Sequence, residues 1–320
     1  MVLSLFITGA PGFVGSTLVK RLQLENVRLC AAVLAGENVG HLPTAVKRVT
    51  VEPLSESSDY TTALQNMDTV IHLAARVHVM QETATDPLQE FRKVNLHGTE
   101  RLAQQSAKAG VKRFVFMSTI GVNGDNSGDK PYIEGDVVHP HNHYSVSKYE
   151  AEVALRQISI ETGMEVVIIR APLVYGPGNP GNFLSLLRIV SKSFPLPLAS
   201  ISNKRSLIYI GNLVDALATC ATHSAAAGQT FLVSDGEDVS TPELIRRTAS
   251  ALGVPVRLFP VPSSIIHLAG KLIGKSPAVN RLTGSLMVDS TKIRRELGWK
   301  PPFTMEEGLR ETAIWFKNNR

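Results

Sequence analysis

Tyr144 and Lys148 stand four residues apart in Tyr144-Ser145-Val146-Ser147-Lys148, and the hydroxyl pair Ser118-Thr119 lies upstream. Residues four apart share a face of a helix, so phenol and amine are placed to act on one proton. A free tyrosine, with a pKa of about 10, is too weak an acid to work near neutrality. A nearby ammonium favours the phenolate, and lowering the pKa by ~3 units takes ~4 kcal/mol of differential interaction. Thr119, with Ser118 beside it, offers a hydroxyl to the reacting oxygen. Tyr-x-x-x-Lys arises by chance on many helices, so the pair takes its meaning from the elements that position it.

The first of those elements is a short apolar strand, Val2 to Ile7. It is followed by Thr8-Gly9-Ala10-Pro11-Gly12-Phe13-Val14-Gly15 and then by apolar residues at helical spacing up to Leu24. Gly9 permits a tight turn, Gly12 lets the backbone approach a pyrophosphate, and Gly15 lets the helix pack closely on the strand. The helix N-terminus adds N–H donors and the positive end of a dipole. Strand, glycines and helix in this order predict a dinucleotide site over Gly9, Pro11, Gly12, Phe13, Val14 and Gly15, against the alternative of an ordinary tight turn. With the Tyr/Lys pair it implies hydride transfer at a carbon bearing a hydroxyl or ketone. Lys148 could also hold the nicotinamide ribose. The second strand ends in the neutral Leu34-Ala35-Gly36, with Glu37 beyond it. Without a carboxylate for the ribose 2′-OH or an arginine for a 2′-phosphate, NAD and NADP are both admitted. Arg28 reads as a solvated charge at the strand start.

Strands at 2–7, 27–33, 48–52, 69–73, 112–117 and 165–169 alternate with helices near 14–24, 58–66, 86–109 and 143–162. That order predicts an α/β fold, a doubly wound parallel sheet of Rossmann type. Beyond residue 171 the prolines at 172, 177, 180, 195 and 197 mark loops. Helices are expected near 182–192, 212–222, 241–251 and 305–317, and strands near 206–210 and 229–233. The reading is an NAD(P)-binding domain over 1–170 with returns near 206–235, and a smaller, interleaved substrate lobe over 171–320.

The 320 residues can bury a large core, and 43% hydrophobic with 19% charged residues describes a globular chain. The net charge of +5 comes without a Lys/Arg run, which argues against nucleic acid as a partner. Cys30 and Cys220 lie in apolar segments and read as core residues in a reducing compartment. No leader peptide or bilayer-length apolar run is visible, so a cytoplasmic location is expected. His139, His141 and His143 have no carboxylate or thiol at ligand spacing and read as a loop over the substrate; no metal is expected. His72 and Trp299 read as packed core residues.

Jointly these residues resemble the NAD-dependent epimerase/dehydratase family of extended short-chain dehydrogenases/reductases, which act on nucleotide sugars. The resemblance spans essentially the whole chain. It is carried by the glycine segment, Asp68 to Ala75, Val94-Asn95-Leu96-His97-Gly98-Thr99, Phe116 to Thr119, Tyr144/Lys148, Arg170 to Pro177, Arg205 to Leu213 and Leu297 to Pro301. It implies Thr119, Tyr144 and Lys148 as catalytic residues, with Ser118 beside them. Leu54, Leu73, Ala74, Ala75, Pro172 and Val174 would line the cofactor, and Asn95 would steady the central helix. Asn182, Arg205, Arg281 and Arg76 would meet a UDP-sugar. A homodimer through the helices near 86–109 and 143–162 is implied as well.

The chain departs from the family pattern in places. Pro53-Leu54 replaces the usual Asp-Leu or Asp-Ile that meets adenine, Asn123 stands where tyrosine is common, and Asn212 where aspartate is frequent. Ile120-Gly121 replaces the Asp-Glu pair of a 4,6-dehydratase. A weak acidic grip on adenosine suits a cofactor that exchanges. A second resemblance, in Arg76-Val77-His78-Val79-Met80, Asn182-Phe183-Leu184 and Phe231 to Asp238, points to a bacterial subgroup linked to O-antigen sugars. The leading expectation is therefore a reductase of UDP-2-acetamido-2,6-dideoxy-hexos-4-uloses in surface polysaccharide synthesis. The rival is a UDP-glucose or UDP-N-acetylglucosamine 4-epimerase that keeps its NAD. A non-catalytic NAD(P)-binding sensor is the reading from another class.

Overall fold

A computed structural model describes residues 2–77 and 84–319; His78, Val79 and Met80 lie outside the described residues. The first half runs β1 (Leu3–Thr8), α1 (Phe13–Leu22), β2 (Val27–Leu34), β3 (Lys47–Val51), β4 (Thr69–His72), α2 (Pro87–Arg92), α3 (Thr99–Lys108), β5 (Arg113–Thr119), α4 (His143–Thr162) and β6 (Glu165–Ala171). The second runs β7 (Leu173–Tyr175), α5 (Asn182–Ser191), β8 (Arg205–Tyr209), α6 (Ile210–Thr222), β9 (Thr230–Leu232), β10 (Asp238–Val239), α7 (Thr241–Leu252), α8 (Ser263–Leu272), α9 (Ser276–Thr283), α10 (Thr291–Leu297) and α11 (Met305–Asn318).

Seven strands form a parallel sheet in the order β3-β2-β1-β4-β5-β6-β9. Alternation along the strands loads both faces. Leu5, Ile7, Val115 and Ile169 pack toward α1 and α6, while Phe6, Phe114, Phe116 and Ile168 pack toward α3 and α4. Strands buried on both faces read as continuous apolar runs, which is why β1, β5 and β6 are legible in the sequence. Of the two later strands, β9 joins this sheet beside β6. β8 instead pairs with β7 and β10 in a separate three-stranded sheet. Cys30 and Cys220 are buried and unpaired, and Trp299 is buried with its indole N–H donating to Asp215 at 3.0 Å. No helix of the described residues is long and apolar enough to cross a membrane.

Two expected helices differ. Instead of a helix over 58–66, residues 58–60 are irregular and 61–66 form turns. The Asp59 carboxylate accepts from Thr61 N–H, and Tyr60 N–H is spent on the Gln105 side chain at 2.7 Å. Asn66 then adopts a positive φ of 61°, so one local and one long-range side-chain bond take the place of the helix ladder. The helix expected over 86–109 is interrupted by a π-helical stretch, Lys93–Gly98, between α2 and α3. This widened turn carries Asn95 inward, and Gly98 sits so close to Leu54 that an added Cβ would lie 2.9 Å from that side chain's Cβ.

Candidate active site

The glycine turn closes on itself. Gly9 has φ of 66°, and its carbonyl accepts from Gly12 N–H at 3.0 Å. A Cβ at Gly15 would overlap the Gly9 carbonyl oxygen and stand 2.7 Å from Ala10 Cα. No side chain caps α1, whose first turn carries no acid, so its N–H groups face the mouth of the turn. The neighbouring β4 exit is fixed by Thr8, whose hydroxyl accepts from Leu73 N–H and Ala74 N–H, both at 3.2 Å. His72 is a buried core histidine, hydrogen-bonded to Thr8 at 2.6 Å and Thr99 at 2.9 Å, and burial holds its pKa well below the usual range. These surroundings have the shape and donor set that a dinucleotide pyrophosphate requires.

The second strand's end is not neutral. Gly36, at φ of 75°, turns the chain back so that the Glu37 carboxylate accepts from Leu34 N–H at 2.9 Å. The sequence places Glu37 beyond β2; the left-handed glycine returns its charge to the strand tip. His41 also reaches over this end, bonded to the Pro11 carbonyl at 2.9 Å.

Ser118 and Thr119 end β5 facing opposite ways. Ser118 is buried and donates to Glu152 at 2.6 Å, which corrects its expected place beside the reacting oxygen. Thr119 is half-buried, with its hydroxyl accepting from Gly121 N–H at 3.1 Å. A Cβ at Gly121 would stand 3.4 Å from Thr119 Oγ1, 3.3 Å from His141 Cε1 and 3.2 Å from Ser145 Cβ, so β5's end abuts the start of α4. Asn142 caps that helix through a reciprocal box with Ser145. Tyr144 therefore sits in its first turn, edge-on to Phe91 at 6.3 Å.

Lys148 lies one turn deeper, buried, with its amine 3.7 Å from the centre of the Phe116 ring. Among the described residues no carbonyl or carboxylate accepts a hydrogen bond from that amine. Burial pushes Lys148 down to about 7, against the opposing pull of Glu152. Burial pushes Tyr144 up to about 12, the reverse of the direction expected from its neighbour. The cause is desolvation of the phenolate by burial.

Asn95 holds the framework: it accepts from Arg76 N–H at 2.8 Å and donates to the Arg76 carbonyl and to Ser147 Oγ, both at 3.0 Å. Behind α4, the fully buried Glu152 takes Arg170 through two nitrogens at 3.0 and 2.6 Å, and Arg170 in turn donates to Asn123 at 3.0 Å. Glu152 gives no clear sequence pattern of its own; its mark is a carboxylate one turn beyond Lys148 on the same helix face.

Tyr144 opens into a cleft of about 1240 Å³ whose walls include Phe91, Asn126, His141, His143 and Arg281. Arg281 is exposed on this wall. Arg205 is half-buried and outside the cleft lining. Its guanidinium donates to the carbonyls of Arg281 at 2.6 Å and Gly284 at 3.1 Å, bracing the wall that carries Arg281. Asn182 is exposed at the first residue of α5, away from the cleft lining. Arg76 stacks over Phe91 at 5.4 Å, behind the cleft wall. Leu54, Leu73, Ala74, Ala75 and Val174 are half-buried and Pro172 is buried at the strand ends. Among the described residues no group of three His, Cys, Asp or Glu side chains could hold a metal ion.

Residues 5–234 match the profile of the NAD dependent epimerase/dehydratase family. A UDP-glucose 4-epimerase of Vibrio cholerae is 46% identical over 99% of this chain and 97% of its own length. An N-acetyl-alpha-D-glucosaminyl-diphospho-ditrans,octacis-undecaprenol 4-epimerase of Escherichia coli O157:H7 is 26% identical over 97% of this chain and 94% of its own. Among solved structures, UDP-glucose 4-epimerase of Thermotoga maritima with UDP-glucose superposes with a TM-score of 0.78 at 22% identity, covering 99% of both chains.

Proposed function

This chain belongs to the NAD-dependent epimerase/dehydratase family, and from that premise we propose that it inverts C4 of a UDP-linked hexose or hexosamine by transient oxidation. The observation that carries the reading is Tyr144 in the wall of the cleft, with Lys148 one helical turn beneath and the Thr119 end of β5 abutting the start of their helix. A bound nicotinamide supplies the hydride acceptor and donor at C4. Tyr144 takes the proton of the C4 hydroxyl as the carbon is oxidised and returns it when the opposite face is reduced. Thr119 holds the same oxygen, and Lys148 faces the nicotinamide ribose, its amine uncommitted to other acceptors among the described residues. With an oxidised dinucleotide held here, the Tyr144 phenolate would be favoured against the burial that holds it protonated. The roomy cleft lets a 4-keto sugar turn over before reduction. Arg281 meets the diphosphate from the cleft wall, with bidentate geometry suited to it.

Gly9, Pro11, Gly12, Phe13, Val14 and Gly15 hold the pyrophosphate, with Leu54, Leu73, Ala74, Ala75, Pro172 and Val174 along the dinucleotide, so that the cofactor lies on the 1–170 side and the sugar toward 171–320. Glu37 at the tip of β2 favours NAD, because its carboxylate accepts from the ribose 2′-OH and repels a 2′-phosphate. That grip, together with the relatives named as 4-epimerases, moves the reading from the reductase to the epimerase. One observation favours the second reading: Pro53-Leu54 leaves the adenine end without its usual carboxylate, which eases cofactor exchange.

The test pairs two assays on the purified protein and on Tyr144→Phe. UDP-glucose and UDP-N-acetylglucosamine, with catalytic NAD, are followed by NMR for C4 inversion. UDP-2-acetamido-2,6-dideoxy-4-hexulose is followed for NADH and NADPH consumption at 340 nm. Inversion that falls ~10²-fold or more in Tyr144→Phe supports the epimerase. Stoichiometric oxidation of NAD(P)H by the keto sugar, without inversion, establishes the reductase instead. Tight NAD binding with turnover of none of these sugars leaves the sensor.

A further inference from the structure

The chain's charge is unevenly spread. Segments 176–214 and 248–288 carry eight Lys and Arg and no Asp or Glu. These segments include α8 and α9, the helix pair at the cleft mouth. The inner face of α8 is spoken for: Ser263 and His267 line the cleft, and Gly270 packs against Val279. Its outer face carries Ile265, Leu268 and Leu272 at i, i+3 and i+7, followed by Ile273, and all four are exposed, Leu272 at 79% and Ile273 at 70%. Leading into α8, residues 257–259 run along 194–199 through the bonds Leu196 N–H to Arg257 O and Phe259 N–H to Leu196 O. That pairing brings Phe194, Val256 and Phe259, also exposed, to the same part of the molecule. The same carboxylate-free segments carry the exposed cations Arg188, Lys192, Arg257, Lys271 and Lys275.

A short helix with an exposed apolar face, flanked by lysine and without carboxylates, has the composition of an element that lies in a bilayer interface. Scattered apolar residues need no explanation, but a run of them along one helix and its neighbour does. We propose that the outer face of α8, with Phe194 and Phe259, docks on an anionic lipid surface, apolar side chains entering the headgroup region and Lys271 and Lys275 pairing with lipid phosphates. Charge complementarity selects this occupant: carboxylate-free cationic segments suit a negative leaflet, which attracts basic residues within a Debye length. Because Ser263 and His267 line the cleft from the opposite face of the same helix, docking sets the cleft mouth beside the headgroups. The inference does not depend on which sugar reaction the site performs.

Co-sedimentation of the full chain with vesicles tests it, using phosphatidylcholine alone and phosphatidylcholine with phosphatidylglycerol, at low and high salt. Expected is pelleting with the anionic vesicles only, weakened by salt. Leu268→Glu with Leu272→Glu, and separately Lys271→Glu with Lys275→Glu, should each weaken it about tenfold or more. Turnover of a soluble nucleotide sugar should stay unchanged in both, which also reports that the variants fold. Equal recovery in the supernatant with and without anionic vesicles overturns the proposal. So does a dimer in light scattering that the leucine variant dissociates, which would assign the face to a second copy of this chain.

Discussion

Glu152→Gln should destabilise the protein through charges that never touch the substrate. Glu152 is fully buried and receives Arg170 at 2.6 and 3.0 Å, Ser118 at 2.6 Å and Arg156 at 3.1 Å. Glutamine keeps the shape and one acceptor oxygen but leaves the buried Arg170 guanidinium without its counter-charge. Breaking one partner of a buried pair costs about 3–5 kcal/mol. At about 2 °C of Tm per kcal/mol for a chain of this size, the expected fall is about 6–10 °C. Glu152 also raises the Lys148 pKa, so the same variant should leave Lys148 less protonated near neutrality. Calorimetry on wild type, Glu152→Gln and the double variant Glu152→Leu/Arg170→Met measures the effect. The double variant should recover part of the loss, since removing both charges costs less than stranding one. A Tm for Glu152→Gln within 2 °C or so of wild type would refute the claim that Arg170 depends on Glu152 as its buried counter-charge.

Gly15→Ala should abolish measurable NAD binding by calorimetric titration while the protein still melts cooperatively, because its Cβ would overlap the Gly9 carbonyl and force the pyrophosphate turn open. Unchanged NAD affinity would show that the turn is not the cofactor cradle. Glu37→Gln should raise affinity for NADP relative to NAD about tenfold or more, read by direct binding of both nucleotides; an unaltered ratio would remove Glu37 from the adenosine site. Burial lowers Lys148 from its ordinary 10.5 to about 7, so the unfolded chain binds the extra proton between those values and stability rises with pH across that window. Without added nucleotide, wild type should gain about 2 kcal/mol relative to Lys148→Met between pH 7.5 and 9.5, measured by denaturant unfolding; parallel pH curves would contradict the burial argument.

The parallel core and the first glycine turn were legible because they rest on period and on steric need. β1, β5 and β6 are apolar runs flanked by helix patterns, and Gly9 and Gly15 stand where only a missing side chain fits. His72 and Trp299 are core as the sequence suggests, His72 in a strand buried throughout and Trp299 buried between exposed neighbours with its indole N–H on Asp215. Three features were hidden for physical reasons. The turns over 61–66 arise from a tertiary bond, Gln105 to Tyr60, that no local pattern announces. The return of Glu37 depends on one left-handed glycine, and the different fates of Ser118 and Thr119 follow from strand alternation that the hydroxyl pair itself conceals. Arg205 was visible as a cation, yet two backbone carbonyls claim it.

The most direct test of hydride transfer at C4 uses UDP-glucose and UDP-N-acetylglucosamine bearing deuterium at C4, incubated with the protein and catalytic NAD in ordinary water. If the hydride leaves to the cofactor and returns to the opposite face, NMR will show inverted product that retains its deuterium at C4. Inverted product carrying hydrogen at C4 would mean proton exchange with solvent, and would contradict the account.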